Sequence, residues 1–416
     1  MTANKIEWDS RLAIDGGDPV MRSWPPRPAR WGEEELVNLS EMVGQESLFY
    51  WNGVQTEQLV NNFREHYGFK YVMPCSSGTA AIHIAAAAAG IGPGDEVITS
   101  PLTDMGTFVG VLYQQAVPVF ADIELGSYNI DPAAIERCVS DRTRAIIAVH
   151  LAGNPCAMEE INAIAERHGL VVIEDCAQAW GAHYRGEPVG KPGDVACYSL
   201  NDFKHLSCGD GGIVAADDDA IGGLLQMYGD KGYERGVKRI NPRFLAPNYR
   251  ISEPQAAIAA AQMRNLPKIA ATWNRLGSYL DGQLERIPGI RAREVRPEDT
   301  STYWFNLFCL EPGAFSCSRG EFVRALCGEG VGASEGYISE PAYRWPVFQE
   351  HAFFGGGWPL KDAGMTNMDY RLVSCPNSEA ILKSGVRVIL HDGFTESHVE
   401  QIATAVRKVT QHYAAD

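Results

Sequence analysis

The stretch Ala145-Ile-Ile-Ala-Val-His150, then Met158-Glu-Glu-Ile-Asn-Ala-Ile-Ala-Glu-Arg-His168, then Leu170-Val-Val-Ile-Glu174-Asp175 decides how this chain folds. Two apolar runs of strand length flank a segment whose apolar residues Met158, Ile161, Ile164 and Ala165 recur at helical spacing. A strand that is apolar throughout has both faces covered, and a helix between two such strands makes a βαβ unit with parallel strands. The alternation continues outward on both sides. It predicts strands over 96–100, 117–121, 194–199 and 212–216, and a helix over 132–138 with proline in its first turn. An alanine-rich helix is expected over 79–89, stopped by Gly90. Past residue 250, helical patterns over 252–266 and 269–284 lead into segments at 303–310, 319–328, 386–391 and 395–409. The expected architecture is α/β, a mostly parallel sheet with helices on both faces, joined to a smaller α+β module. We place an N-terminal arm at 1–29, a large domain at 30–265 and a small C-terminal domain at 266–416.

Composition narrows the function. A chain of 416 residues exceeds what one core usually supports, which suits two domains. The formal net charge of −16 argues against a nucleic-acid or anionic-membrane surface, both of which need clustered Lys and Arg, and favours a small-molecule partner. Ten cysteines lie scattered with no C-x-x-C pair, as expected for reduced thiols in a cytoplasmic protein, and no metal site is expected. The opening residues lack the pattern of a signal peptide. The longest apolar run, 82–91 apart from His83, is too short to span a bilayer, so no membrane association is expected.

In an open α/β sheet, ligands bind outside the carboxyl ends of the strands. Asp175 directly follows one strand, and Ser199 closes another within Cys197-Tyr-Ser-Leu-Asn-Asp-Phe-Lys204-His-Leu-Ser-Cys-Gly-Asp-Gly-Gly212. Lys204 follows five residues later. A solvated surface amine is the ordinary reading of any single lysine, but one held in a partly desolvated pocket loses its proton more readily and attacks carbonyls. Ser77-Gly78-Thr79 opens a helix whose free N–H groups and dipole favour a phosphate. An anion cradle, a carboxylate, a hydroxyl and an amine on one rim are the groups that pyridoxal 5′-phosphate requires.

At this point the chain resembles the DegT/StrS-type sugar aminotransferases, of the fold-type I pyridoxal phosphate enzymes, over nearly its whole length. The resemblance rests on Ser77-Gly-Thr-Ala-Ala, Gly92-Pro-Gly-Asp-Glu-Val-Ile, Pro118-Val-Phe-Ala-Asp122, Asn129-Ile-Asp-Pro, Val149-His-Leu-Ala-Gly153, Glu174-Asp-Cys-Ala-Gln-Ala-Trp-Gly-Ala182, Gly209-Asp-Gly-Gly212 and Asn248-Tyr-Arg250. It implies an aspartate aminotransferase-like large domain with a seven-stranded type of sheet. By position, Lys204 would be the catalytic lysine that holds the cofactor and shuttles protons. Asp175 would pair with the pyridinium, Gln178 with the phenolic oxygen, and Ser77, Gly78, Thr79 and Ser199 with the phosphate. Asn248 would reach the phosphate of a neighbouring subunit, implying a homodimer with shared active sites; read from the residues alone, Asn248 caps the helix over 252–266. Where relatives carry an aromatic that stacks on the cofactor ring, this chain has Asp104, so either Met105 covers the ring or Asp104 meets it by a polar contact.

Gly16-Gly-Asp-Pro-Val-Met-Arg22 followed by Trp24-Pro is similar to the branch that aminates keto-cyclitols in aminoglycoside assembly. Tyr50, Trp51 and Asn52 resemble a loop entering the site from its edge, and Tyr337, with Glu335 and Tyr343, could face a polyol; packing is the competing reading for each. His150 reads as a structural rim histidine and His205 as either packing or a tuner of Lys204. The leading expectation is amino transfer from L-glutamine or L-glutamate to a keto-cyclitol or keto-sugar in aminoglycoside or amino-sugar biosynthesis. A nucleotide-sugar aminotransferase and a cofactor-dependent dehydratase or epimerase are the alternatives. A binding protein on the same fold is disfavoured, since it has no need of a shuttle lysine.

Overall fold

The architecture is that of a computed structural model, which describes residues 11–238 and 241–415. Its central sheet has seven strands in the order β1-β9-β8-β5-β4-β2-β3. They are β1 (Tyr71–Cys75), β2 (Glu96–Thr99), β3 (Val117–Phe120), β4 (Thr143–Val149), β5 (Val171–Asp175), β8 (Val195–Ser199) and β9 (Gly212–Ala216). A small hairpin of β6 (His183–Tyr184) and β7 (Glu187–Pro188) lies between β5 and β8 in the chain. Strands β2, β3, β4, β5 and β8 run parallel, whereas β9 is antiparallel to both β8 and β1. The reversal follows from the connection. Residues 200–211 contain no crossover helix to carry the chain back to the far edge, so β9 must return antiparallel. Strand β1 is absent from the strands read off the sequence; it lies at the sheet's edge, where Pro74 is tolerated although it has no N–H to donate.

Alternation along β4 covers both faces. Ala145, Ile147 and Val149 join a core with the alanine-rich helix Gly78–Ala88 and the helix Glu253–Arg264, while Ile146 and Ala148 pack beneath the helices Pro132–Cys138 and Met158–His168. Beyond this sheet lies a four-stranded antiparallel one, ordered β10 (Ile290–Arg291), β11 (Asn306–Leu310), β13 (Gly385–Val388) and β12 (Ala333–Glu335). The helix Leu266–Leu284 runs between the two cores: Leu266 and Ala270 pack with the first, Leu276, Leu280 and Leu284 with the second. Strand β11 begins at Asn306 rather than at residue 303, because Tyr303 adopts a left-handed φ of 47° that breaks the extended run.

The first ten residues of the expected arm lie outside the described residues. The remainder wraps the second module: Leu12, Val20 and Met21 enter its core. The main-chain N–H groups of Ala13 and Val20 donate to the Glu329 carboxylate at 2.8 and 3.1 Å, beside a buried ion pair from Lys408 at 2.9 Å. The chain then crosses to the large sheet, where Arg30 and Trp31 touch the loop after β8.

Candidate active site

Asp175 is the last residue of β5, so its buried carboxylate stands at the carboxyl rim. The Thr107 hydroxyl donates to Oδ2 at 2.9 Å and the Ala177 N–H to Oδ1 at 3.1 Å. Burial raises the Asp175 pKa, opposed by these two donors and by the charge of Lys204. Its neighbour Glu174 faces the opposite side of the strand, accepting from Gly190 N–H at 2.7 Å, Gly193 N–H and His150 Nε2 at 2.8 Å. The Cys156 N–H donates to His150 Nδ1 at 3.0 Å, which places the ring proton on Nε2. His150, Glu174 and Cys176 lie close enough together to suggest a metal cluster, but both ring nitrogens and the carboxylate are already committed to one another and to the backbone.

The helix Gly78–Ala88 opens beside the end of β8. Its N-cap Ser77 accepts the Ala80 N–H at 3.0 Å, and Ala81 N–H bonds to Ser77 O, so the N–H groups of Gly78 and Thr79 face outward for a ligand. A Cβ at Gly78 would sit 2.7 Å from Ser199 Cβ, and one at Gly106 would sit 2.8 Å from Thr79 Oγ1. Glycine at these positions lets Ser77, Gly78, Thr79 and Ser199 close around one cradle. This donor set, hydroxyls and free N–H groups at the positive end of a helix, fits a phosphate. Gly78→Ala is expected to force the cradle open and weaken cofactor affinity about tenfold or more, on the order of other overpacked contacts. Titration of cofactor-free protein with pyridoxal phosphate reads this directly, and an unchanged Kd would remove the cradle from this role.

Lys204 lies in the tight loop after β8, where its N–H bonds to Asn201 O at 2.9 Å. Its Nζ rests 3.7 Å from the centroid of the Trp304 ring and, among the described residues, makes no hydrogen bond. Burial pushes the amine down to about 8, although the carboxylates of Asp175 and Asp104 pull upward. Gln178 accepts Ala152 N–H at 2.8 Å and donates through Nε2 to the Tyr337 hydroxyl at 3.2 Å. The Tyr337 ring stacks on Phe305 at 4.8 Å and meets Trp304 edge-on at 5.9 Å. Burial raises the Tyr337 hydroxyl pKa, with Asp104 and Asp175 adding to the rise. Asp104 is exposed and accepts Gly106 N–H at 2.8 Å, while Met105 turns away to pack with Phe108 and its aromatic neighbours. Of these two side chains, Asp104 is the one whose charge acts on Lys204.

The structure thus gathers Lys204, Asp175, Gln178, Asp104 and Tyr337, with the Ser77, Gly78, Thr79 and Ser199 cradle alongside. The side chains of Tyr50, Trp51 and Asn248 make their contacts with other residues. The Tyr50 hydroxyl donates to Asp230 at 2.6 Å and accepts from Gln226 at 3.0 Å; Arg235 and Arg250 flank the same carboxylate. Asn248 accepts the Arg250 Nε–H at 2.8 Å, and the helix Glu253–Arg264 is capped by Ser252 with Gln255 rather than by Asn248. Trp51 lines a surface cleft with Arg64 and Tyr71. Glu335 pairs with Arg319 at 2.9 Å, and Tyr343 is buried with its hydroxyl on Glu379 at 2.6 Å. His205 donates from Nε2 to Thr302 O at 2.9 Å, and burial pushes its pKa down to about 4, so it is a neutral packing residue. Thr107, Trp304 and Arg30 escaped the sequence reading.

A half-buried amine of lowered pKa beside a buried carboxylate, a helix-end phosphate cradle and this sheet order define a pyridoxal phosphate-dependent aminotransferase. The chain belongs to the DegT/DnrJ/EryC1/StrS aminotransferase family, whose sequence model matches residues 31–407. It is 32% identical over 355 residues to a putative L-glutamine:3-amino-2,3-dideoxy-scyllo-inosose aminotransferase of Micromonospora echinospora, covering 84% of each chain. It is 30% identical to a GDP-perosamine synthase of Caulobacter vibrioides, covering 83% of this chain and 88% of that protein. The fold is similar to the X-ray structure of an aminotransferase from Psychrobacter cryohalolentis, with a TM-score of 0.83, and to that of a 3-amino-5-hydroxybenzoic acid synthase, with a TM-score of 0.82. The Psychrobacter enzyme is 26% identical and the match covers 94% of this chain and 100% of that one. Among the described residues no helix is long and apolar enough to cross a membrane.

Proposed function

We propose that this sugar aminotransferase moves an amino group from L-glutamine or L-glutamate to a ketone on a cyclitol or sugar, in aminoglycoside or amino-sugar biosynthesis. It would act in the cytoplasm as a homodimer with shared active sites. The observation that carries the reading is the Lys204 amine, held half-buried near the Asp175 and Asp104 carboxylates at the sheet rim. Bound pyridoxal phosphate supplies an aldehyde and an electron-withdrawing ring. Ser77, Gly78, Thr79 and Ser199 would hold its phosphate, Asp175 its ring nitrogen and Gln178 its phenolic oxygen. Lys204 Nζ would hold the aldehyde carbon, then accept the proton that leaves the donor and return it on the acceptor half. With a midpoint of about 8, roughly a tenth of the amine is neutral at pH 7, far more than for an ordinary lysine. Asn248 would reach the partner's phosphate, and Tyr50 and Trp51 would enter the pocket from its edge. Tyr337, bonded to Gln178, would face the acceptor.

The likeness to the inosose aminotransferase supports a keto-cyclitol acceptor and a glutamine donor. The likeness to the perosamine synthase favours, as a second reading, a nucleotide-linked keto-sugar. Borohydride treatment of the loaded enzyme is expected to fix the cofactor to the Lys204 peptide. L-Glutamine or L-glutamate, added without acceptor, should release its 2-oxo acid in an amount stoichiometric with enzyme. Absence of that product with every amino acid tried would replace amino transfer by elimination or epimerisation. An assay over keto-cyclitols and nucleotide keto-sugars then separates the two acceptor classes.

Asp104 supplies a further expected result. Its carboxylate stabilises the Lys204 ammonium, so Asp104→Asn lets the amine deprotonate at lower pH. The midpoint for labelling Lys204 with an amine reagent, in cofactor-free protein, should fall below about 8. A midpoint that stays or rises would show that Asp104 does not act on the amine.

A further inference from the structure

We propose that Arg30 and Trp304 are positioning residues that together clamp the loop carrying Lys204. Three successive main-chain carbonyls of that loop accept from them: Arg30 Nη1 donates to Asp202 O, Arg30 Nη2 to Lys204 O, and Trp304 Nε1 to Phe203 O at 2.6 Å. The loop has no helix or strand of its own between β8 and β9, so these carbonyls have no ladder to join. A planar guanidinium reaching two carbonyls fixes orientation as well as position. The indole adds a second contact, its face lying against the Lys204 amine. A ring face attracts the ammonium without a directional bond, which leaves Nζ free to turn toward an incoming carbonyl.

Both arms of the clamp are themselves held. Gln262 Nε2 donates to Arg30 O at 3.0 Å and to Glu35 Oε1 at 2.7 Å, and Trp31 Nε1 reaches Ser207 O at 3.5 Å, which ties the segment after the N-terminal arm to this loop. On the other side, Trp304 N–H donates to Ala152 O at 3.1 Å, and Ala152 N–H donates to Gln178. Arg293 reaches Ala152 O at 3.2 Å and Ser301 Oγ at 2.9 Å, with its guanidinium over the Tyr303 ring. Tyr303 itself sits at φ 47°, a conformation costly for a bulky residue, and its ring occupies the space where Gly277 would carry a Cβ. The strained turn directs Tyr303 inward and presents Trp304 to the loop. Lys204 is thus located jointly by a segment near residue 30 and one near residue 304, each anchored in a different part of the fold.

The proposal rests on Lys204 being the cofactor-holding amine, which borohydride mapping tests separately; the clamp is tested first on protein without cofactor. Arg30→Met and Trp304→Phe are expected to raise hydrogen exchange in peptides covering 200–208 about tenfold, the loss of one or two hydrogen bonds, with the rest of the sheet unchanged. In the same variants the rate at which pyridoxal phosphate becomes attached to Lys204 should fall about tenfold. Donor KM should hold while kcat falls, and Arg30→Lys should recover part of the attachment rate. Unchanged exchange over 200–208 would overturn the proposal. So would exchange that rises throughout the protein, or a local rise with an undiminished attachment rate.

Discussion

Lys204→Ala is expected to lower turnover by at least about 10⁴-fold while leaving the fold intact, because one substitution removes both the covalent attachment point and the proton carrier. The second half of that expectation comes from the environment. The wild-type amine is held down to about 8 by burial, so folding disfavours its charged form and the shorter side chain relieves a penalty. Sign and window follow. The unfolded lysine titrates near 10.5, so below about 8 the folded protein carries this penalty in full, and it fades as pH rises toward 10.5. Cofactor-free Lys204→Ala should therefore melt no lower than wild type at pH 7, and its advantage should shrink at higher pH. Lys204→Arg separates charge from base: guanidinium keeps the positive charge but does not deprotonate, so it should be as inactive as alanine. Dialysis should strip the cofactor from both variants. Turnover within tenfold of wild type in either one would remove Lys204 from the chemistry.

The parts of the site that could be read from sequence are those tied to strand ends. Asp175 ends β5 and Ser199 ends β8, and in a parallel sheet those ends share one rim, so two apolar runs sufficed to bring a carboxylate and a hydroxyl together. The Ser77-Gly-Thr turn was legible because alanine-rich helix and glycine stop bracket it. Lys204 itself lies on an irregular loop, and the residues that hold this loop come from far along the chain: Arg30 lies 174 positions from Lys204, and Trp304 lies 101 positions from Phe203. No local periodicity encodes such contacts. Thr107 carried no signal beyond a helical step from Thr103, with which its hydroxyl pairs at 3.0 Å. Strand β9 reads the same from sequence whether parallel or antiparallel, since both faces are buried either way; only the missing crossover helix fixes its direction. Tyr337 could be named from sequence as a polyol-facing candidate, but its bond to Gln178, 159 positions away along the chain, could not.

Asp175→Asn should separate function from stability. The wild-type carboxylate is buried, and that burial raises its pKa above the usual value despite the Thr107 hydroxyl, the Ala177 N–H and the charge of Lys204. For an acid shifted upward, stability is lost as pH rises from the unfolded pKa of 3.8 through the raised folded pKa, and the deficit persists at neutral pH. Asparagine is nearly isosteric. Its oxygen can keep the Ala177 N–H bond, and Thr107 can turn its hydroxyl toward Thr103 and accept from the new amide, so both partners stay satisfied. The variant should melt at the wild-type temperature or above it at pH 7. Activity should move the other way, falling about 10²–10³-fold, the range seen when one preorganised electrostatic partner of the reacting group is removed. Removing the charge should also lower the Lys204 midpoint below about 8, since Asp175 is the carboxylate that most supports the ammonium. Asp175→Ala leaves the Thr107 and Ala177 donors without an acceptor and should lose stability as well. Thermal melts and donor half-reaction rates on the two variants decide the matter. If asparagine loses stability in proportion to activity, the carboxylate serves the sheet; if it loses activity alone, a buried charge that folding disfavours is retained for what it does to the ligand.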